Sequence, residues 1–335
     1  MGGRRAACGR LTYDVIAVDV LEANGSETMM LHDFGRTRVA ALAACATLGV
    51  GACAHPAPTA RGPVTWDEVA ALPVPAPDHR IAYGADPLQF GELRLPEGPG
   101  PHPVAVFIHG GCWRSQFDVR HVASASAALA RAGVAVWTLE YRRIGDPGGG
   151  WPGTFQDVAR GTDHLRELAR RYPLDLDRVV LVGHSAGGHL ALWLAARRNV
   201  PSSSPLVSGD PLPVRGVVPL AGITDLRAYG AAPGSCNAAV PLLLGGSPAE
   251  VPDRYAQASP AELLPLGVPQ RLLHGALDAI VPVEQSREFA ERASARGDDA
   301  RLVLVEGAGH FDLVAPFSPA WARVEEAVRS LLAPR

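Results

Sequence analysis

The run Arg178-Val179-Val180-Leu181-Val182 leads without a break into Gly183-His184-Ser185-Ala186-Gly187, and then into Gly188-His189-Leu190-Ala191-Leu192-Trp193-Leu194-Ala195-Ala196. The first run is β-branched and apolar, as a buried strand requires, and the last is small and helix-favouring. No linker separates them, so the chain must turn from strand to helix at Ser185. A turn that sharp strains the serine backbone and leaves room only for small residues on either side. The serine hydroxyl then projects from the sheet end, above a helix N-terminus. A strand followed at once by a helix commits the chain to an α/β arrangement.

Three other strand-like runs end in residues that suit this serine. Val104-Ala105-Val106-Phe107-Ile108 runs into His109-Gly110-Gly111-Cys112-Trp113. Paired glycines at a strand end let backbone N–H groups turn toward a site, and with the N–H of Ala186 they make the donor set that holds a tetrahedral oxyanion. Gln270-Arg271-Leu272-Leu273-His274 leads to Asp278, and Arg301-Leu302-Val303-Leu304-Val305 leads to His310. The chain order is therefore oxyanion loop, Ser185, Asp278, His310, each just beyond a strand. Ser185 is read as nucleophile, His310 as general base and then acid, and Asp278 as the carboxylate that orients His310. His274 competes for the base role and is read as packing under the acid loop. Asp225, Asp312 and Glu306 compete for the acid role. His184 points away from the hydroxyl of Ser185 and is read as structural, although it also counts among the candidate pocket residues with Cys112, Trp113 and Trp151. Trp151 packs equally well on the helix that follows it. His109 braces its loop, and no second ligand stands at a metal-site spacing, so neither a metal nor another cofactor is expected.

These motifs resemble the α/β-hydrolases of the esterase/lipase group, over about Tyr83 to Leu332. The His109-Gly110-Gly111-Cys112-Trp113 form is similar to the HGGxW branch, which includes kynurenine formamidase-like, bacterial feruloyl-esterase-like and prolyl-oligopeptidase-like catalytic domains. Cys112 departs from that pattern, where glycine or an aromatic residue is common. The resemblance implies a mostly parallel central sheet with helices on both faces and a short lid insertion. It also implies a serine carboxylesterase that acts through an acyl-enzyme on small to medium acyl esters. An arylformamidase or an aminopeptidase-like amidase uses the same chemistry, and a catalytically silent binding protein is the alternative of another class.

Composition suits one large α/β domain: 47% of the 335 residues are apolar, and strand-like and helix-like runs alternate after residue 80. The net charge is −3 with both signs mixed, which disfavours nucleic acid as a partner; a small-molecule ester is the partner that the resemblance implies. Oligomeric state has no signature here. The first 80 residues differ from the rest. Arg36 and Arg38 precede a twelve-residue apolar stretch, Val39 to Val50, and then Gly51-Ala52-Cys53. This order resembles a bacterial lipoprotein signal, with lipid on Cys53 as the one membrane attachment and an exported, membrane-anchored location. The alternative is a short helix in a cytoplasmic protein. Residues 1–28 then read as an over-called extension, 29–53 as the signal, 54–80 as a Pro/Ala-rich tether and 81–335 as the hydrolase domain. Cys112 and Cys236 are the two thiols left beyond Cys53, free or paired with each other.

Strands are expected at Gln89–Leu95, Val104–Ile108, Val134–Leu139, Val179–Val182, Val214–Leu220, Gln270–His274 and Arg301–Val305. Helices are expected at Val122–Arg131, Thr154–Tyr172, Glu284–Ala295 and Ala320–Leu332. The punctuated stretch at about 223–264 reads as a lid over the site rather than core. Glu140, Tyr141, Arg142 and Asp157 form either a polar network or solvated surface, and an Arg142–Asp157 pair would stiffen the scaffold.

Overall fold

The computed structural model describes residues 62–207 and 209–334. Its elements run, in chain order, α1 (Trp66–Ala70), β1 (His79–Ala82), β2 (Phe90–Arg94), β3 (His102–Ile108), α2 (Ala123–Arg131), β4 (Ala135–Leu139), α3 (Gly153–Asp163), α4 (Leu165–Leu168) and β5 (Leu174–His184). They continue with α5 (Ala186–Ala196), β6 (Gly216–Leu220), α6 (Leu226–Ala231), α7 (Ala239–Leu244), α8 (Pro252–Ala258), β7 (Gln270–Gly275), α9 (Glu284–Ala295), β8 (Ala300–Val305) and α10 (Trp321–Leu332). The described strands form one sheet in the order β1-β2-β4-β3-β5-β6-β7-β8. Pairings of β1 with β2 and β2 with β4 are antiparallel, and the rest are parallel. This is the α/β-hydrolase architecture expected from the sequence.

The unbroken apolar runs are explained by burial on both faces. Along β3, Val104, Val106 and Ile108 pack into the layer that holds Phe155 of α3, Leu165 of α4 and Trp193 of α5. Ala105 and Phe107 pack into the opposite layer, with Leu129 of α2 and Val324 and Val328 of α10. β3 lies between β4 and β5, so the winding direction reverses there. Such a reversal opens a crevice beyond the carboxyl ends of the two strands. The glycine pair after β3 and Ser185 after β5 both lie at that crevice.

Three expectations need correction. The helix expected over 154–172 is interrupted at His164, giving α3 and the single turn of α4. Thr162 near the break donates its hydroxyl to the Val158 carbonyl at 2.7 Å, a back-bond that bends helices. The stretch at 223–264 folds into α6, α7 and α8, and Leu226, Val240, Leu243, Leu244, Tyr255 and Ala258 are fully buried in the main core. Its apolar residues recur at helical spacing, so it packs rather than hovers; Ser235 and Cys236 are the part that reaches the site. The tether also ends earlier than expected. Thr65 and Glu68 form a capping box that starts α1, Val64 and Val69 are buried, and β1 begins at His79. Residues 1–61, including the signal-like segment and Cys53, lie outside the described residues.

Candidate active site

Ser185 has φ 56° and ψ −119°, a conformation costly for any residue with a side chain. The surroundings hold it there. Its N–H donates to the Leu220 carbonyl of β6 at 2.8 Å, and its own carbonyl accepts from His189 N at 3.1 Å. A Cβ on Gly183 would overlap the Gly187 carbonyl, and one on Gly187 would overlap that of Ile108. Both glycines of the turn are thus required by space as well as by strain. Ser185 is 3% exposed and opens into a cavity of about 510 Å³ that His310 also lines.

His310 follows β8. Its Nδ1 donates to Oδ2 of Asp278 at 2.6 Å, because a carboxylate can only accept. That bond leaves Nε2 of a neutral His310 with a free lone pair. The other oxygen of Asp278 accepts from Ile280 N at 2.8 Å and Val281 N at 2.9 Å. Burial pushes the Asp278 carboxyl up, but its bond to His310, the charge His310 can carry and the two backbone N–H groups outweigh that and hold it below the usual carboxylate range. The acid and base loops are locked together: Leu277 N donates to the Ala308 carbonyl at 2.9 Å, and a Cβ on Gly275 would stand 2.5 Å from that oxygen.

The competing residues have other partners. His274 bonds the Val281 carbonyl and Ser286 Oγ, both at 2.8 Å, and so supports the acid loop from below. Asp225 caps α6, accepting from Arg227 N and Ala228 N at 3.0 Å. Asp312 accepts from Gly309 N and Val64 N at 2.9 Å and from Ser318 Oγ at 2.7 Å. Glu306 is exposed on the surface.

A pair of histidines lies beneath His310. His184 Nε2 is 3.0 Å from the His310 carbonyl, so this nitrogen carries the proton and donates. Nδ1 of His184 must then accept from Nε2 of His121 at 2.8 Å, which leaves His121 Nδ1 as a bare lone pair with no partner. Burial, with a smaller contribution from neighbouring histidines, lowers the pKa of both rings well below the usual value, so both are neutral. The indole of Trp66 stacks on His121 with centroids 4.9 Å apart.

The loop after β3 passes against Ser185. A Cβ on Gly110 would lie 3.2 Å from Ser185 Cβ and 2.8 Å from the His184 carbonyl. Gly111 has φ +103°, and Cys112 and Trp113 follow at φ 52° and 55°. His109 is buried, with Nε2 2.9 Å from Glu140 Oε1, and its carbonyl accepts from Tyr141 Oη at 2.9 Å. The loop is therefore braced from β4 by Glu140 and Tyr141. Arg142 makes a two-bond pair with Asp157 at 2.7 Å for each bond and joins the end of β4 to α3. A disulfide links Cys112 to Cys236, with Cα atoms 5.1 Å apart, and ties this loop to the helical insertion.

Of the candidate pocket residues, Cys112 lines the cavity and three do not. Trp113 is fully buried, its Nε1 donating to His189 Nδ1 at 3.2 Å. Trp151 packs edge-on against Phe155 with centroids 5.8 Å apart, and His184 is occupied by the two histidines described above. Gly111 lines the cavity, while Ala186 opens α5 as a buried residue. The sequence reading missed Trp66, Phe117, Phe311 and Arg114, which form much of the cavity wall. Only Trp66 had a local signal, the Thr65-x-x-Glu68 box that starts its helix.

The BD-FAE family model matches residues 93–293. Esterase LipC of Mycobacterium tuberculosis is 30% identical over 244 residues, which cover 70% of this chain and 60% of LipC. The isoprenylcysteine alpha-carbonyl methylesterase ICME of Arabidopsis thaliana is 28% identical over 249 residues, covering 70% of this chain and 56% of ICME. The chain thus spans about 60% or less of the length of these curated relatives. Among solved structures, a truncated carbohydrate esterase from gut microbiota superposes with a TM-score of 0.67 at 23% identity, over 81% of this chain and 99% of that one. Esterase B of Lactobacillus rhamnosis (HN001) gives 0.65 at 23%, over 79% and 89%. At that identity the likeness concerns the fold.

Proposed function

This chain belongs to the BD-FAE family of α/β-hydrolase-type proteins, and from that premise we propose that it is a serine carboxylesterase acting on small to medium acyl esters. The observation that carries the reading is the strained Ser185 opening into the same cavity as a histidine already oriented by a buried carboxylate. His310 Nε2 takes the Ser185 proton as Oγ attacks the ester carbonyl carbon. N–H groups of Ala186 and the Gly110–Gly111 loop receive the negative charge on the carbonyl oxygen. Collapse of that intermediate breaks the ester bond, and His310 returns the proton to the departing alcohol. Water, deprotonated by His310, then attacks the acyl-enzyme and releases the acid and free Ser185. The names of LipC, an esterase, and of LipM of the same organism, a probable carboxylic ester hydrolase, support an ester over a formamide or amide.

The test is labelling with a fluorophosphonate, followed by turnover of a p-nitrophenyl ester chain-length series alongside N-formylkynurenine and aminoacyl anilides. The expected result is labelling lost in Ser185→Ala, with turnover confined to esters. A protein that is folded, unlabelled and inactive on every ester overturns the reading in favour of a silent binding protein.

Export with lipid attachment at Cys53 belongs to the same proposal. The order Arg36, Arg38, apolar Val39 to Val50, Cys53 supports it. The Cys112–Cys236 disulfide supports it independently, because such bonds persist in oxidising compartments. Expression in a bacterial host is expected to give a membrane-associated, globomycin-sensitive protein that Cys53→Ser releases or leaves unprocessed. Soluble protein with an uncut N-terminus would reject it.

A further inference from the structure

The walls of the Ser185 cavity are largely apolar: Trp66, Phe117, Phe311, Ile280 and the Cys112–Cys236 disulfide. His121, which also lines it, is held neutral by burial. Arg114 is the exception. Among the described residues that line the cavity, none is Asp or Glu, and Arg114 carries the permanent charge. Neighbouring arginines are all paired: Arg120 with Asp118 at 2.8 Å, Arg142 with Asp157 at 2.7 Å, and Arg143 with Asp146 at 2.9 Å. Arg114 makes no ion pair among the described residues. Its one side-chain bond is to the Ser235 carbonyl at 3.2 Å, across the disulfide on the insertion.

Its backbone is held in place. Arg114 N donates to the Gly111 carbonyl at 2.9 Å, its backbone pairs with Ile144, and the preceding Trp113 is anchored in the core. A guanidinium has five N–H donors in a planar fork that matches a carboxylate. Here most of the fork is unused, at the edge of a largely apolar cavity.

We propose that Arg114 is an anion anchor, and that the preferred substrates are esters carrying a carboxylate away from the scissile carbonyl. The proposal rests on the cavity being the ester site. It names one chemistry that either the acyl or the alcohol part of the substrate can supply.

Two matched pairs separate those sources: mono(4-nitrophenyl) adipate against its methyl ester for the acyl side, and 4-acetoxybenzoate against its methyl ester for the alcohol side. We expect wild-type kcat/KM to favour the anionic member of at least one pair by about 10- to 100-fold, the range of a hydrogen-bonded charge pair. Arg114→Gln should collapse that ratio toward one, Arg114→Lys should keep part of it, and added salt should shrink it. Wild-type ratios near one in both pairs, or a ratio unmoved by Arg114→Gln, overturn the anchor. Calorimetric titration with adipate and 4-hydroxybenzoate reads the anchor without turnover. If Arg114→Gln abolishes their binding to a protein that hydrolyses no ester, the anchor stands and the esterase reading fails. If neither anion binds and neutral esters are hydrolysed, the esterase stands and the anchor fails.

Discussion

Nε2 of His184, the residue immediately before Ser185, donates to the backbone carbonyl of His310, the proposed general base, at 3.0 Å. The serine turn and the base loop are thus joined through main chain and imidazole, independently of the Asp278 contact. His184→Phe removes that donor and should lower kcat with little change in KM. His184→Gln, whose amide can both donate to the carbonyl and accept from His121, should recover much of the loss. Fluorophosphonate labelling rates check this directly, and equal rates for the two variants would show that the bond does not position His310.

Asp278→Asn should lower kcat by about 10⁴-fold, by analogy with triads in which the amide favours the wrong imidazole tautomer. Asp312→Asn should behave differently. Its carboxylate holds Gly309, Val64 and Ser318, so the loss should appear as about 1–3 kcal/mol of stability while kcat is largely kept. Steady-state kinetics and urea unfolding on both variants separate the two. A collapse of kcat at Asp312 with little at Asp278 would reverse the assignment.

The Cys112–Cys236 bond closes a loop of 124 residues. In the chain-entropy model a loop of that size contributes up to about 4–5 kcal/mol. Thiol titration of the unfolded, unreduced mature protein should find no reactive thiol, and Cys236→Ser should lower Tm by several degrees. Two titratable thiols would exclude the bond.

Acid should destabilise the fold well above the range where carboxylates titrate. Burial lowers the pKa of His121, His184, His189 and His274, that of His189 to about 4. The unfolded chain takes up these protons near pH 6.5 and the folded one does not, so stability falls as pH drops below about 6.5. Each such ring contributes a slope of up to about 1.4 kcal/mol per pH unit until its folded-state pKa is reached. Urea midpoints between pH 8 and 5 measure this. His189→Gln, which preserves the bonds to Trp113 and the Ala258 carbonyl, should flatten the slope; an unchanged midpoint down to pH 5 would reject the argument.

The sheet and the order of candidate catalytic residues were legible because both depend on local patterns. Buried parallel strands need continuous apolar runs, and each chemical group follows one of them. The cavity wall was not legible. Trp66, Arg114, Phe117 and Phe311 come together across more than two hundred residues of chain, and nothing around Arg114 in sequence tells a surface charge from one facing a cavity. Trp113 misled for the converse reason: an aromatic near a motif packs wherever its ring finds partners, and Trp113 found the core, while Trp151 packs on the helix that follows it, as one of its two readings had it. The insertion was mistaken for a cover because its glycines and prolines drew attention from the helical spacing of Val240, Leu243 and Leu244.

Trp66 stands outside the stretch matched by the family model, yet it forms one wall of the Ser185 cavity and stacks on His121. His310 and Phe311 lie beyond the other end of that stretch, so the cavity is completed from both sides of the matched segment. Substitution of Trp66 can therefore reshape what enters the cavity without touching Ser185, Asp278 or His310. A protein trimmed to begin at residue 81 would lose this wall together with the buried Val64 and Val69 and the Val64–Asp312 bond.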